Sequence, residues 1–163
     1  MQAKQGMVLF AVLSLLVMGF IFHNSLQGSE ESHARSDVIV EAVESIVETL
    51  LETEKPQEEL RKSISFAVRK AAHFIEFAIL GICTGAFFTF LSRYREKRYK
   101  CWTFPLCLIV ACCDETIQSF TGRTNSLKDV ALDSIGSICG ILLILALFHF
   151  LRETRGGEAP CPN

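Results

Sequence analysis

Ionisable side chains inside or at the edge of apolar segments of this chain include the nine residues Arg69, Lys70, His73, Glu76, Asp114, Glu115, Arg123, Asp129 and Asp133. A charge within a membrane helix costs about 2.5–3.5 kcal/mol on insertion scales unless something compensates it, so these residues are expected to pair or to serve a site. Arg69, His73 and Glu76 are spaced i, i+4, i+7 and share one helical stripe; Asp114 and Gln118 sit one turn apart, and Asp129, Asp133, Gly136 and Gly140 form another stripe. Glu76, Asp114 and Glu115 are candidate acids or bases, with His73 as proton shuttle and Arg69 or Arg123 stabilising an oxyanion. Arg69, Lys70 and Arg123 equally suit a phosphate or carboxylate ligand. Five acids stand against three bases and one histidine, an excess that a protonated carboxyl, a cationic His73 or a bound cation would balance. No resident metal or cofactor is expected; a hard divalent cation held by His73 and the carboxylates is the lesser alternative. Nucleophile-elbow and metalloprotease motifs are missing from the sequence.

The elements that carry these residues are apolar helices. Of 163 residues 50% are hydrophobic and 21% charged, and the mean hydropathy is +0.33, values that fit one all-α membrane domain and leave no room for a second module. A net charge of −2 argues against nucleic acid as a partner. Four transmembrane helices are expected at about 7–24, 66–91, 102–120 and 130–151, within a membrane domain 1–152 followed by a tail 153–163. The first reads as an uncleaved membrane helix rather than a signal peptide. The apolar part of the third, Trp102 to Cys113, is only about 18 Å long, so a crossing must continue through Asp114, Glu115 and Gln118 and bring them inward. Cys83, Cys107, Cys112, Cys113 and Cys139 lie in or beside apolar runs and read as small buried hydrophobes. Gly81 with Gly85 and Gly136 with Gly140 read as helix-packing pairs.

Arg93 to Lys100 holds five bases and one acid, which assigns this connection, and with it both termini, to the cytoplasm. Each of the nine residues named above then enters from the outer side. The outer segment 25–63 is acidic; within it Ile39, Val43, Ile46 and Leu50 share a face opposite Asp37, Glu41, Glu44, Glu48 and Glu52, predicting an extracytoplasmic amphipathic helix. Pro56, Glu58 and Glu59 read as the start of a helix running toward the second span.

Taken together, Phe22-x-x-Ser25-x-Gln27, Arg69-Lys70-x-x-His73-Phe74-x-Glu76-Phe77 with Leu80-Gly81, Asp114-Glu115-x-x-Gln118-x-Phe120-x-Gly122-Arg123, and Asp129 with Gly136 and Gly140 resemble the VanZ-like family of bacterial membrane proteins, over about residues 8 to 150. The founding member is associated with resistance to teicoplanin, a glycopeptide acting on wall precursors at the outer membrane face. The resemblance adds Ser25 to the candidate ligand-binding set of Arg69, Lys70, Gln118, Arg123, Asp129 and Asp133, and implies the bacterial cytoplasmic membrane as location. The sequence departs from the pattern at Ile117, where histidine is frequent, at Thr121, where proline is, and at Asp133, where asparagine is common.

Three functions are compatible with this reading. One is a binding protein in the bilayer whose outer polar site takes the head group of a lipid-linked wall precursor or glycopeptide. A second is a small membrane enzyme using His73 and paired carboxylates. The third is an envelope scaffold docking a partner through its acidic outer segment.

Overall fold

The computed structural model describes residues 3–26, 40, 41, 43, 57–121 and 127–156. Among these, four long helices and no strand are present: α1 (Ala3–Leu26), α2 (Gln57–Arg95), α3 (Thr103–Phe120) and α4 (Leu127–Gly156), with a short 3-10 turn at Lys100–Trp102. The chain is an all-α membrane protein. α1, α2 and α4 are long and apolar enough to cross a bilayer. α3, about 27 Å long, packs against all three of the others. Its Asp114, Glu115 and Gln118 lower its apolar content, and all three are buried inside the bundle.

α2 is longer than the span expected at 66–91. It starts at Gln57, with Glu58 and Glu59 in its first turn and Arg93 and Arg95 in its last, an arrangement that favours both ends of the helix dipole. The helix expected to begin near Pro56 is therefore continuous with the second span. At the other end Glu96 takes a left-handed φ of 54°, the conformation that commonly stops a helix. The Tyr99 amide then donates to Ser92 Oγ (3.0 Å) and closes the connection to α3. α4 runs to Gly156, so the first residues of the expected tail are helical.

The two glycine pairs interlock. A Cβ at Gly136 would meet the backbone of Phe74, one at Gly140 the carbonyl of Ala78, and one at Gly81 the carbonyl of Ser137, so α2 and α4 touch backbone to backbone. In a lipid environment such close approach supplies the dispersion contacts that hold helices together. The principal core, Ile21, Phe77, Leu80, Cys107, Val110 and Ala111, joins α1, α2 and α3. Leu15, Leu16, Leu142, Leu143 and Phe150 are exposed on the outer faces of α1 and α4, where lipid rather than protein would cover them.

The cysteine expectation needs correction. Cys83 and Cys107 are buried, but Cys112, Cys113 and Cys139 are exposed. In a membrane protein an apolar side chain on a lipid-facing surface gains nothing from burial in protein, so apolar context does not imply an interior position. Of the outer amphipathic segment, Val40, Glu41 and Val43 are helical; Val40 is buried, Val43 half-buried and Glu41 exposed. Its other residues, with Gln27, Gly122 and Arg123, lie outside the described residues.

Candidate functional site

One end of the bundle gathers the C-terminal turn of α1, the first half of α2, the last turns of α3 and the first turns of α4. The core lies immediately beneath it: Ile21 is one turn before Ser25, Phe77 follows Glu76, and Ala111 is one turn before Asp114 and Glu115. The close α2–α4 crossing at Phe74 and Gly136 places His73 beside Asp133, one turn above that contact.

Asp114 is fully buried and anchored from two helices. The Ser25 hydroxyl of α1 donates to Oδ1 in a short hydrogen bond. Gln118 Nε2, one turn on along α3, donates to Oδ2 at 2.7 Å and lies 3.3 Å from Ser25 Oγ. Thr121 Oγ1 also donates to the Ser25 carbonyl (3.3 Å), fixing the end of α3 against the end of α1. Ser25, placed among the candidates by resemblance, thus has a physical role: it shapes the carboxylate of Asp114.

His73 Nδ1 lies 4.0 Å from Asp114 Oδ2 and 4.0 Å from Asp133 Oδ1. Asp133 is 1% exposed, and among the described residues neither of its carboxylate oxygens has a hydrogen-bond partner. Asp114, Glu115 and Asp129 are all close enough for their charges to act on it, and Lys70 acts in the opposite sense. Glu115, the other acid of the third-helix pair, is itself buried.

Lys70 pairs directly with Asp129 at the rim. Their side chains remain 26% and 24% exposed, while that of His73 is 16% and that of Asp114 is 0%. The polar cluster therefore has an accessible edge and a closed floor. Lys70 Nζ also lies over the Phe66 ring, 5.3 Å from its centroid. Arg69 is half-buried.

The stripe expected of Arg69, His73 and Glu76 is divided between partners. His73 turns to α3 and α4, whereas Glu76 accepts a 2.9 Å hydrogen bond from Asn24 Nδ2 of α1. Asn24 was not visible as a site residue; its only signal was a polar side chain beside Ser25 at the end of an apolar helix. Arg123 lies outside the described residues. Ser25, Lys70, His73, Asp114, Gln118, Asp129 and Asp133 come together, with Glu115 within Coulomb range, and Glu76 forms an adjoining pair.

His73, Asp114 and Asp133 each offer one donor atom within 4.8 Å of the others, the arrangement of a potential cation site. A family model described as VanZ/LLP1 matches residues 10–149. No curated protein and no solved structure matches the chain.

Proposed function

The chain belongs to the VanZ/LLP1 family, and on that premise we propose that it is a protein of the bacterial cytoplasmic membrane whose polar end faces outward and receives the head group of an amphiphilic cell-envelope molecule. A lipid-linked wall precursor and a lipoglycopeptide such as teicoplanin are the ligands of this chemistry. The observation that carries the reading is the polar network itself, built from all four helices at one end and grading from the Lys70–Asp129 rim to the buried Asp114. A merely structural charge pair needs no such edge. Both termini are cytoplasmic in this reading, because the bases of residues 93–100 lie at the opposite end of α2 from the cluster. Arg69 and Lys70 meet the phosphate or carboxylate of the head group.

Native mass spectrometry of protein extracted from its membrane tests the reading. The expected result is one lipid class retained well above its share of the membrane, with retention falling about tenfold, or 1.4 kcal/mol, in Arg69→Ala. Absence of any enriched amphiphile, or equal retention by the variant, would overturn it. For the glycopeptide ligand, a sensitive Gram-positive host expressing the parent should become less susceptible to teicoplanin. Glu115→Gln at matched membrane abundance should not protect.

A further inference from the structure

His73 Nδ1 is 4.0 Å from one oxygen of Asp114 and 4.0 Å from one oxygen of Asp133. Charge-assisted contacts close to about 2.7–2.9 Å, so these separations are too long for hydrogen bonds between the atoms concerned. They are also nearly equal, and the three donors come from three different helices, α2, α3 and α4. An ion centred in a triangle with two sides of 4.0 Å and a third of at most 4.8 Å would stand at most about 2.5 Å from each corner, within the reach of calcium. A contraction of a few tenths of an ångström reaches transition-metal bond lengths.

A second observation is independent of this spacing. Asp133 is 1% exposed, and among the described residues both of its oxygens are without hydrogen-bond partners although Oδ1 is a corner of the triangle. Buried polar atoms almost always have a partner, and a buried carboxylate left with none is among the costliest groups a fold can hold. Asp114 is the opposite case: Ser25 and Gln118 orient it, as the outer partners of metal-ligating carboxylates do.

We infer that His73, Asp114 and Asp133 bind one divalent cation of the Mn²⁺ or Zn²⁺ class. The imidazole nitrogen favours a transition metal over Mg²⁺ or Ca²⁺, and the two carboxylates supply the charge that neutralises it. Water or an oxygen of a head group completes the coordination. The assignment does not depend on which amphiphile the site takes, or on whether it takes one.

Full-length protein in detergent, stripped with EDTA and titrated with Mn²⁺, provides the test, with free Mn²⁺ read from its electron paramagnetic resonance signal. Mn²⁺ avoids the chain's thiols, which attract Zn²⁺. The titrations use a His149→Gln background, because His149 Nδ1 and Glu153 Oε1 lie 3.6 Å apart at an exposed position and offer a competing site. One equivalent per chain is expected, with affinity at least a hundredfold lower in Asp133→Asn and tenfold lower in Ser25→Ala, which leaves the three donor residues in place and removes the hydroxyl that donates to Asp114 and accepts from Gln118. The second variant decides the matter if the first does not fold. No stoichiometric Mn²⁺ in the parent, or undiminished binding in a folded Asp133→Asn or Ser25→Ala protein, would overturn the site.

Discussion

The two ends of the bundle solve opposite problems. At the end near the α2–α3 connection, Phe10 stacks on Phe90 (5.8 Å) and Phe90 meets Phe148 edge-on (5.5 Å). Arg93 lies over both rings at 5.9 and 5.5 Å, with its residue exposed. Charge stays outside there, and rings close the gap between helices. At the other end Asp114, Glu115 and Asp133 are inside, and Asp133 has no hydrogen-bond donor among the described residues. Aromatic packing gains stability from contact area, whereas buried charge gains it only through complete pairing. An end that keeps incompletely paired charge gives up stability, which is the usual mark of a binding or catalytic site.

Substitutions should separate these two roles. The largest effect is expected from Gly140→Leu, which forces a side chain into the Ala78 carbonyl across the α2–α4 seam and disturbs both ends at once. A loss of about 3 kcal/mol or more is expected, read as failure to recover monodisperse protein or as a large fall in its denaturation midpoint. Phe90→Ala removes the contacts that close the basic end and should cost about 3 kcal/mol. Lipid retention and Mn²⁺ binding should change less than twofold, which would show that the ends are separable. Asp114→Ala leaves the buried donors of Ser25 and Gln118 without their acceptor, so about 2 kcal/mol is expected. This variant should abolish Mn²⁺ binding as well. At the bottom of the scale, Lys62→Ala breaks only an exposed pair with Glu58 (2.8 Å) and should shift denaturation by about 0.3 kcal/mol.

Much of this contrast was legible in the sequence because lipid makes polar residues conspicuous. The short third apolar run required Asp114, Glu115 and Gln118 to turn inward, and the structure buries all three. Likewise, the glycine spacing announced close contact, and Gly81, Gly136 and Gly140 meet backbone on the partner helix. Partner choice was not legible: nothing in a stripe of Arg69, His73 and Glu76 says that Asn24 would hold Glu76 while His73 faced two aspartates from other helices. Such pairings depend on helix rotation and depth, which side-chain periodicity leaves undetermined. The same limit misplaced Cys112, Cys113 and Cys139, since apolar composition alone does not distinguish a core-facing from a lipid-facing surface.

The central claim is that Asp133 is held at the polar end for binding and, unlike Asp114, does not brace the bundle. Its most direct test is thermal unfolding of the parent and of Asp133→Asn, both stripped with EDTA and in the same detergent. Asparagine keeps the shape of the side chain and removes a buried carboxylate that has no hydrogen-bond donor among the described residues. An unfolding midpoint equal to or above that of the parent is the predicted result. A midpoint lower by roughly 4 °C or more, equivalent to about 1 kcal/mol in a chain of this size, would contradict the account and make Asp133 a structural brace.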